Sequence, residues 1–236
     1  MFKKVFFAIA TLIGCTTSAN ADIWIDGNLF CENSDSIQTT IPFATVTMYD
    51  IDNHNDQKYF AVANDRGYFE VKPYDYTKPY YMEISAPGYE TRKTTITAIK
   101  SPLQNNNTIN IRLKPSGTAP AIGKTTYTGD SLAKGTKILR ELLLATVPGI
   151  QNEGEDWFTD NDESVLIFFN DWASKPEVLQ ILMDNAPSEE IDRIDVFKLP
   201  EGSVYECAIR INIPAVGHIN FPKYYFNDSS YLKEIR

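Results

Sequence analysis

The sequence predicts two folded regions of different class: an all-β sandwich over residues 22–115 and a small α+β domain over 136–217. Three observations carry this. The first region alternates apolar and polar residues with period two and holds no helical period. The second mixes two helical stretches with three strands. Between them, residues 116–135 hold Ser116-Gly117-Thr118-Ala119-Pro120 and further Gly and Thr, and read as a linker.

In the first region the alternation predicts strands over Ile23–Phe30, Ala44–Tyr49, Tyr59–Ala63, Tyr68–Val71, Tyr80–Ala86, Thr94–Ala98 and Thr108–Leu113. Val46 and Met48 alternate with Thr45, Thr47 and Tyr49, and Ile109, Ile111 and Leu113 with Asn110 and Arg112, so each strand has one face to bury. Asn64-Asp65-Arg66-Gly67 reads as a hairpin loop, with Gly67 free to take positive φ, and Pro87-Gly88 marks a further turn.

The second region opens on a helix. Ile138, Leu139, Leu142, Leu143 and Val147 keep a 3.6-residue spacing, and Pro148-Gly149 ends it. A polar, acidic loop is expected over Gln151–Ser164. Val165–Phe169 is a continuous apolar run, the pattern of a strand covered on both faces. Pro176 suits the first turn of a second helix, with Val178, Leu179 and Leu182 on its apolar face. Strands follow over Ile191–Phe197 and Val204–Ile213, with Tyr205, Cys207, Ile209, Ile211 and Ile213 on one face.

The N-terminus has the architecture of an export signal, residues 1–21. Lys3 and Lys4 precede an apolar run from Val5 to Gly14, and Ala19-Asn20-Ala21 is a small-x-small cleavage site. The run is shorter than the ~20 residues a membrane-spanning helix needs. Leu12-Ile13-Gly14-Cys15 offers a competing lipobox reading, in which Cys15 is lipidated and retained. Both readings export the protein to the periplasm or outer membrane. Membrane association then comes only through a lipid anchor or a partner.

Removal of a leader bearing Lys3 and Lys4 takes the net charge from −9 to −11. That excludes nucleic acid as a partner, since phosphates demand clustered cations. Cys31 and Cys207 remain. Ile23, Ile25, Leu29 and Cys31 share a strand face, so each cysteine points into a different core and no bridge is expected.

Few residues suggest chemistry. His54 and His218 lie in different regions, away from any ligand array. Asp50, Asp52 and Asp56 have the oxygen-rich look of a calcium loop but lack its Gly and its terminal Glu, so a turn is the simpler reading. Asp156, Asp160, Asp162 and Glu163 form a second acidic stretch. No nucleophile elbow, phosphate-cradling loop or Cys–His arrangement occurs. The expectation is a non-enzyme without cofactor or metal. The tail 218–236 carries Phe221, Tyr224, Tyr225, Phe226 and Tyr231, either an arm packed on the domain or a partner contact.

Two resemblances organise these features. Ala44-Thr45-Val46, Asn64-Asp65-Arg66-Gly67-Tyr68-Phe69 and Ser85-Ala86-Pro87-Gly88-Tyr89-Glu90-Thr91 resemble the carboxypeptidase regulatory-like domain. That implies a seven-stranded, prealbumin (transthyretin-like) sandwich with no hydrolytic residues of its own. Leu142–Ile150, Val165–Asp171, Ile191–Lys198 and Ala208–Ile213 resemble the plug domain of TonB-dependent receptors, the SusC-like kind especially. There the regulatory-like domain commonly precedes the plug. Two departures stand out: the segment Glu201–Cys207 holds one glycine where such plugs are Gly-rich, and 116–135 shows no convincing TonB box. Residues 214–236 are too few for a barrel of at least ~8 strands. Asp35-Ser36-Ile37 and Asp130-Ser131-Leu132 resemble the Bacteroidetes O-glycosylation acceptor.

The resulting expectation is an exported binding or assembly module with an envelope protein as partner. Alternatives are a barrel-less receptor remnant with little function and a small-ligand or glycan binder using Asn53–Asp56 and the tail aromatics.

Overall fold

The computed structural model describes residues 25–32, 38–71, 77–97, 108–170, 172–173 and 176–213. The leader with Cys15, the Asp35-Ser36-Ile37 site and the tail with His218, Tyr224, Tyr225 and Phe226 lie outside the described residues.

The N-terminal lobe is a β-sandwich. Its strands are β1 (Ile25–Glu32), β2 (Gln38–Thr40), β3 (Thr45–Asp50), β4 (Gln57–Val62), β5 (Tyr68–Val71), β6 (Tyr80–Ser85), β7 (Arg92–Ile96) and β8 (Ile109–Arg112). All seven expected strands form, and β2 is an addition. β1 is the hub of one sheet, antiparallel to β2 and β5 and parallel to β8. The other sheet runs β4-β3-β6-β7, all antiparallel.

Alternation buries one face of each sheet. Ile25, Leu29, Cys31, Val46, Met48, Phe69, Met82, Ile84 and Ile111 meet in one core. At the register pair Gly27–Phe69 the Phe69 ring lies across β1. A Cβ on Gly27 would stand 2.3 Å from the Ile109 carbonyl oxygen and 2.7 Å from the Phe69 ring, so only glycine fits there.

The C-terminal lobe has a five-stranded sheet of order β13-β12-β15-β14-β9. Its elements are β9 (Gly123–Thr128), α1 (Leu139–Thr146), β10 (Ile150–Glu153), β11 (Asp156–Thr159), β12 (Val165–Phe169), β13 (Trp172–Ala173), α2 (Pro176–Asn185), β14 (Arg193–Lys198) and β15 (Cys207–Asn212). β12 and β15 are parallel, and β14 is antiparallel to both β15 and β9. Leu139, Leu142 and Leu143 of α1 and Leu182 and Met183 of α2 pack on Ile167, Ile194, Ile209 and Ile211 of the sheet. α1 ends at Thr146, the positive-φ Gly149 then turns the chain into β10, and α2 begins at Pro176, where a missing N–H costs nothing.

Three sequence expectations are corrected. The stretch 116–135 is more than a linker, because 123–128 pairs residue for residue with β14. Its Thr-rich polar sequence gives no alternation to read, since five of its six residues are exposed. The acidic stretch 151–164 contains the hairpin β10–β11, anchored by the buried Trp157. Tyr205 leaves the isoleucine face of β15. The strand begins only at Cys207, and a turn closed by Leu199 N–H donating to the Glu206 carbonyl (2.8 Å) carries Tyr205 to the opposite side.

Candidate functional site

The outer face of the C-terminal sheet is where the lobes meet, and it holds the buried charged residues among those described, Asp195 and Arg210. Register alone builds it. Phe168, Arg210, Asp195 and Thr126 form one row across β12, β15, β14 and β9. Leu166, Ala208, Phe197 and Lys124 form the adjoining row. The opposite side chains of these strands face the helices, so the apolar run Val165–Phe169 is covered on both sides, as expected.

Two turns of the sandwich cover this face. Ile41-Pro42-Phe43 places Phe43 at φ 55°, a left-handed conformation that costs a non-glycine residue roughly 1–3 kcal/mol. The Phe43 ring lies 5.1 Å from Phe197 and 6.2 Å from Phe168, centroid to centroid. With Val62, Leu199 and Ala208 these rings form a shared apolar cluster, whose burial offsets the strain.

The second turn is Asn64–Gly67. Asn64 is buried and organises it: its side-chain oxygen accepts from the N–H groups of Arg66 (2.8 Å) and Tyr68 (3.1 Å), and its carbonyl from Gly67 N–H (3.0 Å). Gly67 takes φ 77°. The turn thereby holds Asp65 toward the other lobe. Arg210 donates through Nη1 to both Asp65 carboxylate oxygens (2.7 and 2.8 Å) and through Nη2 to Asp195 (2.8 Å).

Asp195 is fully buried. It also accepts from Thr126 Oγ1 (2.7 Å) and Arg193 Nε (2.9 Å), and Lys124 Nζ stands 3.4 Å away. Burial alone would push this carboxyl up. The bonds from Arg193, Thr126 and Arg210, with the Lys124 charge, instead hold it well below the usual carboxylate range. A carboxylate so committed has no free lone pair directed at solvent. The geometry suits a structural lock rather than acid–base chemistry.

The residues singled out by sequence are not brought together. Asp50, Asp52 and Asp56 sit in the β3–β4 turn. Asp50 Oδ1 accepts from Asp52 N–H (2.9 Å), and Asp56 pairs with Lys58 Nζ (2.6 Å). Asp52 takes part through its backbone N–H, and among the described residues no group of three or more His, Cys, Asp or Glu is arranged to hold a metal. His54 stacks on Tyr81 at 3.9 Å and 11° between planes.

Cys31 and Cys207 are free thiols buried in the separate cores of the two lobes. Burial pushes the Cys207 thiol up to about 11. Ser131 of the Asp130-Ser131-Leu132 site is exposed, with its hydroxyl held in a turn by Thr128. Among the described residues no helix is long and apolar enough to cross a membrane.

Sequence reasoning missed Asp65, Asp195 and Arg210. The signal was present: Arg210 interrupts Ala-Ile-Arg-Ile-Asn-Ile, and Asp195 interrupts Ile-Asp-Val-Phe, each on the strand face opposite the isoleucines. Alternation assigns such residues to solvent unless another lobe covers them.

No family model matches the chain, and no curated protein matches it. Among solved structures it is similar to the major plantain pollen allergen Pla l 1, at 12% identity and a TM-score of 0.31, over 42% of this chain and 97% of that one. It is also similar to the TIE protein of Bacillus anthracis, at 16% identity and a TM-score of 0.30, over 45% of this chain and 19% of that one. Likeness at this level carries no argument about fold or function.

Proposed function

We propose that this chain is an exported, non-enzymatic binding or assembly module of the bacterial outer membrane or periplasm, related to the N-terminal part of TonB-dependent receptors. The observation that carries the reading is the lobe junction. Arg210 bridges Asp65 and Asp195, and Phe43 is held against Phe168 and Phe197. The buried charge thus serves to join the lobes into one body, leaving outward surfaces to act by contact.

The export reading rests on the leader architecture. The receptor relationship rests on the order of a regulatory-like region before a plug-like one. In this reading the sandwich is of the prealbumin, transthyretin-like kind.

The test is fractionation of expressing cells with the intact mass of the recovered protein, followed by crosslinking in intact cells. Expected are a chain beginning at Asp22, or a lipidated one beginning at Cys15, and a crosslink to an envelope protein. Recovery from the cytosol with the leader intact would overturn the proposal.

A further inference from the structure

The lobe junction is thin. Each lobe closes a core of its own, one around Leu29, Met48 and Ile84 and the other around Leu143, Ile194 and Ile209. Among the described residues, the buried cluster between them takes only Phe43 and Val62 from the sandwich.

Two features of the junction are incompletely satisfied. Phe43 is held at φ 55°, strain of the kind that gathers at switching sites. The Arg210 side chain is 7% exposed, and its nitrogens are engaged unevenly. Both Asp65 oxygens converge on Nη1 (2.7 and 2.8 Å), Nη2 is given to Asp195 (2.8 Å), and Nε is buried without an acceptor. A carboxylate grips a guanidinium best through two parallel bonds to two nitrogens. Asp65 falls short of that fork, and one buried donor stays open.

The sheet does not need Asp65 to hold Asp195. Thr126, Arg193 and Lys124 all point to that carboxylate, so it keeps three partners of its own lobe besides Arg210. Withdrawal of the sandwich turn therefore leaves one group unmet, Arg210.

What covers this face now states the chemistry of a replacement. An aromatic ring lies against Phe168 and Phe197, and a carboxylate lies on Arg210. Phe168 is opposite Arg210 in the register, and Phe197 is opposite Ala208, two residues along the same strand. The two recognition points are neighbours on the sheet, at the spacing of alternate side chains in an extended segment, about 7 Å.

We infer that Asp65 is a built-in, displaceable ligand. With Phe43 it closes, as an autoinhibitory contact, a site on the outer sheet face for an extended peptide segment carrying an aromatic residue and a carboxylate two positions apart. The inference rests on the binding-module reading and names a covered surface for it. The incoming carboxylate engages Arg210 in place of Asp65, the incoming ring replaces that of Phe43, and the strained turn relaxes.

The test uses the full chain and its Asp65→Asn variant, which keeps Asn64 to organise the turn and removes the built-in carboxylate. The probes are three fluorophore-labelled peptides: Thr-Ser-Phe-Thr-Asp-Ser-Thr, the same with asparagine for aspartate, and the same with alanine for phenylalanine. Binding is read by anisotropy. The first peptide should bind the variant at least about tenfold more tightly than the wild-type chain, whose site is open only in a fraction of molecules. Either control should bind the variant at least about tenfold more weakly than the first peptide. Small-angle scattering of the wild-type chain near saturation with the first peptide should show a larger radius of gyration as the lobes part.

Equal affinity of variant and wild type would overturn the inference, as would equal binding of either control peptide or no binding at all. So would an unchanged radius of gyration in the peptide-bound wild-type chain, a measurement that needs no variant to fold. Failure here leaves the module reading intact if crosslinking still finds an envelope partner. A cytosolic protein that binds the first peptide as expected would sink only the envelope reading.

Discussion

Arg210 is one of two buried charged residues among those described, the other being Asp195. It stands between Asp65 of one lobe and Asp195 of the other, with its guanidinium almost wholly buried. Replacing it with alanine strips Asp65 of its cation at the lobe junction and leaves the buried Asp195 with only Arg193 and Lys124. Arg210→Ala should therefore lose about 3–5 kcal/mol, read as a lower urea midpoint. Asp65→Ala should cost less, about 2 kcal/mol, because Arg210 keeps Asp195. The folded-state pKa of Asp195 is depressed, so its contribution is fully present above the unfolded value of about 3.9 and is lost as pH falls toward the lower folded value. Stability should drop below about pH 4, and Asp195→Asn should flatten that acid limb while lowering stability at pH 7. Cys207, pushed up to about 11 by burial, should resist alkylation at pH 8 in the native protein and react once it unfolds.

The elements differ in how openly their sequences declare them. β3 and β6 each bury alternate residues, Val46 and Met48 in one and Tyr80, Met82 and Ile84 in the other, and period two is readable without knowing what lies opposite. The same holds for α1, whose buried Leu139, Leu142 and Leu143 keep helical spacing. β9 is the contrary case. An edge strand exposed on most of its length needs no apolar residues, so Gly-Lys-Thr-Thr-Tyr-Thr reads as linker until β14 is seen beside it. The β10–β11 hairpin was hidden likewise, because a single buried Trp157 anchors an acidic ribbon. β1 depends on Gly27 in a way no pattern reveals. Gly27→Ala must displace the Phe69 ring or the Ile109 carbonyl, and should cost about 1–3 kcal/mol or more, seen as a fall in Tm.

At the scale of the whole molecule, the lobes share an apolar cluster and a buried ion pair, so neither closes its surface alone. Phe168, Phe197 and Ala208 on the outer sheet face of the C-terminal lobe are covered by Phe43 and Val62 of the sandwich. Calorimetry should show one unfolding transition. Phe43→Ala, removing the ring that bridges the lobes, should cost about 3–5 kcal/mol and split the transition in two. A wild-type protein with two well-separated transitions would contradict this account.

The amino-acid order alone specified the sandwich strands, the two helices, the separation of the cysteines and a strand apolar on both faces. These follow from local periodicity, which a chain carries in itself. Only the tertiary structure decided that Asp195 and Arg210 are buried, that Asp65 meets them, and that residues 123–128 extend the sheet. Alternation says that a strand has two faces; what covers the second face is set by a surface 145 residues away in the chain, as between Asp65 and Arg210.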